Sequence, residues 1–254
     1  MIITVANQKG GVGKTDLAVN LSSFLANSGK KVMLVDLDPQ ANATTYLLSQ
    51  KPKKTTSELF LDDDLKLSNI AMQTGVENLH IAPGSPRLNV AQVELMNDVG
   101  MQFKLKRKLK GHGYDYVVID TPPSLGMLTI NALTASDNVL IPVQVHYFAL
   151  DGVDKLLNTV KKVRKEINPK LNVSGFILTM YDKRNNLSSE IEKHVRSSFG
   201  ETVFKTVIPV NVDLATAPKK NMPILLASRE SRGAYAYDNL AKEFLKVHDN
   251  TKRR

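Results

Sequence analysis

The stretch that decides the fold is Val5-Ala6-Asn7-Gln8-Lys9-Gly10-Gly11-Val12-Gly13-Lys14-Thr15. It follows an apolar run and opens a segment with helical spacing, so it predicts a phosphate-binding loop between a strand and a helix. The glycines let the backbone turn tightly enough to aim several N–H groups inward, and the positive end of the following helix favours an anion there. In such a loop Lys14 reaches the β- and γ-phosphates of a nucleotide, and the Thr15 hydroxyl binds Mg²⁺.

The head of this loop departs from the usual pattern. That pattern has glycine where this chain has Gln8, and a second lysine, Lys9, follows. Lys-Gly-Gly-x-Gly-Lys-Thr resembles the deviant Walker A motif of the ParA/MinD superfamily of ATPases. The resemblance implies that Lys9 is catalytic together with Lys14 and reaches across a dimer interface to the partner's nucleotide. It assigns the ATP contacts to Lys9, Gly10, Gly11, Val12, Gly13, Lys14, Thr15 and Asp16. The alternative is a glycine-rich turn with incidental lysines, which the flanking strand and helix disfavour.

Length, composition and net charge limit the kinds of protein that this chain can be. A chain of 254 residues with 42% hydrophobic content fits one large α/β domain, so residues 1–254 are expected to form a single domain. The chain has no cysteine, which excludes disulfides, thiolate metal sites and iron–sulfur clusters. We expect no signal peptide, no membrane span and a cytoplasmic location. The net charge of +9 suits nucleic acid or an anionic membrane as partner, or a basic surface with no partner.

A second motif follows the next predicted strand. Residues 1–7, 14–28 and 31–36 predict strand, helix and strand, and the second strand ends in Asp36-Leu37-Asp38-Pro39-Gln40. Ligand-facing residues in open α/β sheets lie at the carboxyl ends of strands, which places both aspartates near the phosphate loop. The stretch resembles the Walker A′ motif of ParA, which implies that Asp38 activates the attacking water and Asp36 supports the Mg²⁺ shell. The alternative is a plain Asp-Pro turn.

A third carboxylate ends the buried run Tyr116-Val117-Val118-Ile119-Asp120. An apolar strand ending in aspartate is what a Walker B site needs to hold Mg²⁺ through its water, so Asp120 is the candidate. No glutamate follows it to activate water, which strengthens the role of Asp38. Residues 120–133 again resemble ParA, where this loop senses the γ-phosphate and helps form the dimer face.

The remaining pattern predicts a largely parallel sheet covered on both faces. Residues 49–75 are polar and predict surface loops and short helices, whereas residues 104–110 predict a helix with a solvated basic face. Strands are expected at 137–143, 173–180 and 202–208, and helices up to residue 167, at 187–198 and at 231–247. The predicted fold is a single α/β P-loop domain with a mostly parallel twisted sheet and helices on both faces.

The resemblance to the ParA (Soj) partition branch extends over nearly the whole chain, including Phe148-Ala149-Leu150 and Ser231-Arg232-Gly233-Ala234. It implies that the loops after the last strands hold the adenine, through Met180, Pro209 and Asn211. Two departures stand out. Asp16 replaces the family's threonine beside the α-phosphate, where a carboxylate is repulsive. Val210 and Asp213 replace arginines of the family's DNA-binding surface, so the DNA contacts shift to Lys219, Lys220, Arg229, Arg232 and the tail Lys252-Arg253-Arg254.

The function implied by this resemblance is an ATP- and Mg²⁺-dependent DNA-partition ATPase. ATP binding would drive a sandwich homodimer that binds DNA without sequence preference on the nucleoid, and a ParB-type centromere-binding protein would stimulate hydrolysis and release. The alternative is a membrane-positioning ATPase like MinD, which needs an amphipathic C-terminal helix. Here we expect Leu240, Phe244 and Val247 to pack on the core instead. The iron–sulfur carrier branch lacks its cysteines here, and the tyrosine-kinase branch lacks its tyrosine-rich tail.

Overall fold

The computed structural model describes residues 1–96, 98–147, 150 and 152–251, and only the backbone of residues 249–251. Two stretches named above, Phe148-Ala149 and the basic tail from Lys252, lie outside the described residues. Within the described part of the chain, no helix is both long enough and apolar enough to cross a membrane.

The centre of the molecule is a seven-stranded sheet with the order β3-β4-β2-β5-β1-β6-β7. Neighbouring strands run parallel, except that β3 pairs antiparallel with β4. The strands are β1 (Ile2–Val5), β2 (Val32–Asp36), β3 (Met72–Gln73), β4 (Leu79–Ala82), β5 (Tyr116–Asp120), β6 (Asn138–Gln144) and β7 (Asn172–Thr179). The predicted fold class, a mostly parallel α/β sheet, is confirmed.

Helices cover both faces of this sheet. They are α1 (Lys14–Asn27), α2 (Asn42–Leu47), α3 (Thr56–Leu61), α4 (Leu88–Leu95), α5 (Lys104–Lys108), α6 (Met127–Ala135), α7 (Val153–Glu166), α8 (Asn186–Phe199), α9 (Val212–Thr216), α10 (Ile224–Ala227) and α11 (Arg232–Thr251). Strand β2 shows how the two layers arise. Val32 and Leu34 pack in one apolar cluster with α1 and α11, whereas Met33 and Val35 pack in another with α3 to α6. Alternate side chains of a strand point to opposite faces, so a strand buried on both sides is apolar throughout.

Parallel pairing gives the sheet two functionally different edges. We call the edge where the parallel strands end the carboxyl edge, and the edge where they begin the amino edge. In the register, Asp36 at the end of β2 and Val5 at the end of β1 both lie opposite Asp120 at the end of β5. The loop after β1 and both aspartates therefore meet at the carboxyl edge, which is where ligands bind in open α/β sheets.

The strand predicted at residues 202–208 is not formed. Only two isolated bridges occur there, Phe176 with Val203 and Tyr181 with Pro209. Between them, the backbone N–H groups of Lys205 and Thr206 donate to the Glu243 carboxylate of α11, at 2.7 and 2.9 Å. The N–H groups of Phe204 and Ile208 do donate to Phe176 O and Leu178 O of β7, at 2.9 and 2.8 Å. The Glu243 side chain takes the two N–H groups between them, so the pairing with β7 is interrupted and no continuous strand forms.

Three further expectations need correction. The polar stretch 49–75 is not entirely surface, because α3 begins with a Thr55–Glu58 capping box and buries Leu59 and Phe60 in the core. Helix α5 ends earlier than predicted, at Lys108, and its basic side chains are not all solvated, since that of Lys104 is only 7% exposed. In α11 Leu240 and Phe244 are buried as expected, but Val247 is 44% exposed.

Candidate nucleotide site

The loop after β1 has the geometry of a tight phosphate-binding turn. Gly11 and Gly13 adopt left-handed backbone angles, with φ of 73° and 83°, which side-chain-bearing residues rarely adopt. Gly13 caps α1, and its carbonyl accepts the first helical hydrogen bond from Leu17 N at 2.9 Å. The Thr179 hydroxyl at the end of β7 donates to Val12 O at 2.9 Å. The loop is therefore fixed to the sheet before any ligand binds.

Lys14 lies among carboxylates at the start of α1. Its side chain is buried, and Nζ donates to Lys9 O at 3.1 Å. Burial lowers the pKa of Lys14, while the charges of Asp120 and Asp38 act in the opposite direction. An ammonium group held beside two carboxylates at a helix N-terminus is arranged to meet the phosphates of a nucleotide.

Asp120 is the least satisfied group in the site. Both of its carboxylate oxygens are fully buried and have no hydrogen-bond partner among the described residues. Burial raises the Asp120 pKa well above its ordinary value, and the Asp36 charge adds to this, whereas the nearby Thr15 hydroxyl acts against it. Buried carboxylates are normally paired, so this one fits the shell of a cation beside Thr15. The donors present are oxygens, which suits Mg²⁺.

Asp36 and Asp38 occupy one turn but differ in their surroundings. Asp36 is completely buried, and it accepts hydrogen bonds from Thr44 N at 2.9 Å, Thr44 Oγ1 at 2.7 Å and Asp38 N at 3.1 Å. Burial raises the Asp36 pKa to about 6, and these hydrogen bonds oppose the shift. A Cβ on Gly84 would lie 2.8 Å from Asp36 Cγ, so glycine is required there. Asp36 thus anchors the turn that carries Asp38, whose Oδ1 accepts from Gln40 N at 2.9 Å.

A cleft of about 320 Å³ brings most of the predicted site together. Of the predicted residues, it is lined by Gly10, Gly11, Gly13, Lys14, Thr15, Asp16, Asp38 and Met180. Lys9, Val12, Asp36, Asp120, Pro209 and Asn211 are not among its lining residues. Three residues that we did not predict line it as well: Gln40, Asn42 and Pro123. Gln40 belongs to the motif at 36–40 and Pro123 to the stretch 120–133, whereas Asn42 begins α2 two residues after the first motif.

The predicted adenine residues lie on neighbouring segments. Met180 lines the cleft although its backbone is left-handed, with φ of 55°. Pro209 bridges Tyr181, whose N–H donates to Ile208 O at 3.0 Å. The Asn211 Oδ1 accepts from Leu214 N at 3.0 Å and so caps α9. The structure places Met180 in the cleft and gives Asn211 a capping contact within its own segment.

Asp16 faces a buried polar cluster. Its Oδ1 is buried without a hydrogen-bond partner among the described residues. Burial raises the Asp16 pKa to about 6, and a hydrogen bond with the Tyr46 side chain opposes the shift. Asn20, one turn further along α1, donates to Asp16 O at 2.9 Å and to the Tyr46 hydroxyl at 3.3 Å, and its Oδ1 accepts from Ile224 N at 2.9 Å. The cluster links the start of α1 to α2 and α10.

The predicted DNA residues are exposed. Lys219 and Lys220 lie in a short turn after α9, and Arg229 and Arg232 flank the start of α11. None of the four makes an ion pair within the described ranges. Val210 and Val212 close by are 61% and 76% exposed. The surface near α9 thus combines unpaired basic and exposed apolar side chains.

Comparison with known proteins identifies the family of the chain. Residues 1–173 match the AAA domain family. The chain is 49% identical over 245 residues to the sporulation initiation inhibitor protein Soj of Bacillus subtilis, covering 95% of this chain and 97% of that protein. It is 45% identical over 243 residues to the chromosome-partitioning ATPase Soj of Thermus thermophilus, covering 96% of this chain and 94% of the relative.

Solved structures show the same fold. A crystal structure of cobyrinic acid a,c-diamide synthase from Mycobacterium smegmatis, with bound ADP and magnesium, is 32% identical with a TM-score of 0.85, covering 98% of this chain and 96% of that one. A putative plasmid partition protein from Borrelia burgdorferi, bound to AMPPNP, is 26% identical with a TM-score of 0.79, covering 98% of each chain. The glycine loop, the carboxylates beside it and these relatives agree: the chain belongs to the Soj/ParA family of partition ATPases.

Proposed function

We propose that ATP switches this partition ATPase between a monomer and a homodimer that binds DNA without sequence preference. The observation that carries the proposal is the juxtaposition, in one cleft, of Lys14, Asp38 and the phosphate loop, with the unpartnered carboxylate of Asp120 behind it. Residues 1–254 act as one domain in this scheme. The location that follows from it is cytoplasmic, on the nucleoid.

The proposal assigns each part of the nucleotide to residues of this chain. Lys14 and the backbone N–H groups of residues 10–15 would bind the phosphates. Thr15 and Asp120 would hold Mg²⁺, supported by Asp36, and Met180, Pro209 and Asn211 would contact the adenine. Mg²⁺, when bound, neutralises charge on the β- and γ-phosphates. Its charge would also compensate Asp120, a buried carboxylate that has no hydrogen-bond partner among the residues the structure describes.

Hydrolysis is assigned to Asp38. Its carboxylate lines the cleft and is oriented by the Gln40 N–H, so it can accept a hydrogen bond from a water on the γ-phosphate side. As the water oxygen bonds to the γ-phosphorus, the bond from that phosphorus to the bridging oxygen breaks. The water proton passes to Asp38, and ADP and phosphate leave. A ParB-type partner would accelerate this step.

The dimer contact is assigned to Lys9. Lys9 lies at the head of the loop and is partly buried, and its backbone N–H donates to Asn7 Oδ1 at 3.0 Å. A second copy could present its nucleotide to this ammonium, which would favour dimers only when the triphosphate is bound. Lys219, Lys220, Arg229 and Arg232 would supply DNA contacts, and dimerisation would double their number.

The experiment is to measure molecular size and affinity for two unrelated duplexes with ATP, ADP and no nucleotide. ATP is expected to produce dimers and to strengthen binding to both duplexes equally. Lys9→Ala should remove the dimer while monomers still bind ATP. The matched control is Lys155→Ala, an exposed lysine of α7. Strong preference for one duplex, no effect of ATP, or full dimerisation of Lys9→Ala would overturn the switch. Recruitment by ATP to anionic vesicles instead of DNA would favour the MinD-like alternative.

A further inference from the structure

The basic segment of residues 104–110 has two chemically different faces. On the inner face, Lys104 Nζ forms ion pairs with Asp63 and Asp98, both at 2.9 Å. Lys108 Nζ donates to the carbonyls of Asp62, Asp63 and Leu65, at 2.7, 2.6 and 2.8 Å. These two lysines, four residues apart and so on one side of the helix, tie the loop of residues 62–65 to α5.

The outer face consists of Lys106, Arg107 and Lys110. All three side chains are exposed, and none forms an ion pair with any side chain in the described part of the chain. Charges that stabilise the fold are therefore on the inner face. Among the described residues, these three side chains are therefore not tied into the fold by ion pairs.

Three clefts meet beside this outer face, at the amino edge of the sheet. Clefts of about 870, 600 and 340 Å³ all have His112 in their lining. Arg107 and Lys110 line the first two, Lys66 lines the first, Lys170 the second and Lys31 the third. We call Lys31, Lys66, Lys106, Arg107, Lys110 and Lys170 the amino-edge basic surface.

The carboxylates at this edge are mostly committed to partners within the protein. Asp63 pairs with Lys104, Asp115 Oδ2 accepts from Lys31 N at 2.8 Å, and Asp137 Oδ2 accepts from Ile2 N at 2.8 Å. Asp62 Oδ1 accepts from the N–H groups of its own turn. Backbone N–H groups leave the charge of a carboxylate in place, so Asp62, Asp115 and Asp137 stay negative, as does Asp64 in the 870 Å³ cleft. The six cations named above, which form no ion pair among the described residues, outnumber these four acids. The edge therefore presents a net positive field to solvent.

We propose that the amino-edge basic surface binds the phosphodiester backbone of duplex DNA, independently of nucleotide. The six cations lie on the walls of separate clefts, so they suit a chain of phosphates better than one compact anion. The backbone carries no base information, and the contact is therefore independent of sequence. Because the nucleotide cleft lies at the opposite edge of the sheet, this contact does not require the ATP-bound dimer. It adds a second surface to the DNA binding proposed above and rests on that function for the choice of polyanion.

The test uses the full chain carrying Lys14→Ala, so that nucleotide plays no part. In this background the triple variant Lys106→Gln, Arg107→Gln, Lys110→Gln is compared with a control of equal charge change, Lys155→Gln, Lys161→Gln, Lys162→Gln, on the exposed side of α7. Affinity for two unrelated duplexes is measured across a salt series. The amino-edge variant should bind at least about tenfold more weakly at low salt, with a salt slope smaller by about 2 to 3. The control should bind like its parent.

Equal weakening of both triple variants would mean that net charge alone matters and would overturn the assignment, as would unchanged binding by the amino-edge variant. Binding of the parent to anionic vesicles but not to duplex would assign the surface to lipid and overturn it too. Unchanged thermal unfolding shows that the variants fold. Failure of the ATP switch is seen separately, in the chain with Lys14 intact, as absence of ATP-dependent dimers.

Discussion

The carboxyl and amino edges of this sheet differ in which charged groups lack a partner. At the carboxyl edge the unsatisfied groups are buried acids: Asp120 and Asp16 each have carboxylate oxygen without a hydrogen-bond partner among the described residues. At the amino edge Asp63 forms an ion pair, and Asp115 and Asp137 accept hydrogen bonds from backbone N–H groups. Apart from exposed acids such as Asp64, the unpaired charged groups among the described residues of this edge are exposed cations. A buried unpaired acid needs a cation delivered with a ligand, whereas an exposed unpaired cation tolerates water until a polyanion arrives. The position of unsatisfied charge thus separates a small-ligand site from a docking surface.

The largest effect expected at the carboxyl edge is loss of nucleotide binding in Lys14→Ala. Among the described residues, Lys14 is the only one that brings an ammonium group to the cleft lining, and its loss leaves Asp38 and Asp120 without a compensating charge. ATP affinity should fall by about a thousandfold or more, as expected for a charge-assisted contact within a buried site. Calorimetric titration measures it, with Lys106→Ala at the opposite edge as control. Normal affinity in Lys14→Ala would sink the assignment of the phosphate loop.

Asp38→Ala should separate binding from turnover at the same edge. Removing a water-positioning carboxylate raises the barrier and leaves ground-state contacts alone, so hydrolysis should fall by about 10² to 10⁴ while ATP affinity and dimerisation persist. Single-turnover hydrolysis and size measurement with ATP test this. A variant that hydrolyses ATP at the parent rate would show that another group activates the water.

Burial of the acids at the carboxyl edge should also make the stability of the nucleotide-free protein depend on pH. The Asp16 pKa is raised to about 6 in the folded state from an ordinary value of 3.8, so folding retains a proton that the unfolded chain releases. This proton contributes on the order of 2 kcal/mol to the free energy of unfolding. The contribution is complete below pH about 4 and is lost as the pH rises through about 6. Asp36 acts in the same direction. Denaturant unfolding at several pH values should show a shallower loss for Asp16→Asn than for the parent, and identical slopes would contradict this.

The smallest expected effect is on the free energy of unfolding, and it distinguishes the inner and outer faces of α5 at the amino edge. Lys104→Ala removes a buried ammonium and its ion pairs with Asp63 and Asp98, so the free energy of unfolding should fall by about 1 to 3 kcal/mol. Lys106→Ala, on the exposed face, should change it by less than about 0.5 kcal/mol. Urea titration of the two variants provides the comparison. Equal destabilisation would mean that the outer face also stabilises the fold.

Local signals explain what the sequence predicts well. The phosphate loop, Asp38 and Asp120 come from motifs in which every residue lies within a few positions of its partners, and apolar runs mark the strands on which they sit. Contacts between distant segments explain the failures. The Glu243 carboxylate accepts hydrogen bonds from the N–H groups of residues 205 and 206, which lie 37 or more positions earlier in the chain. The sequence of 202–208 alone gives no sign of this contact. Likewise, the charge run at 104–110 does not show which lysines meet Asp63 and Asp98.

Met180 has a consequence for the evolution of this chain. Its left-handed backbone, with φ of 55°, costs a side-chain-bearing residue about 1 kcal/mol relative to glycine, yet the side chain lines the nucleotide cleft. Selection in the laboratory for heat resistance alone should therefore favour Met180→Gly, with a higher melting temperature and weaker ATP binding. Selection for partition should restore the methionine. The residue found at position 180 would then distinguish lineages selected for heat resistance from lineages selected for partition.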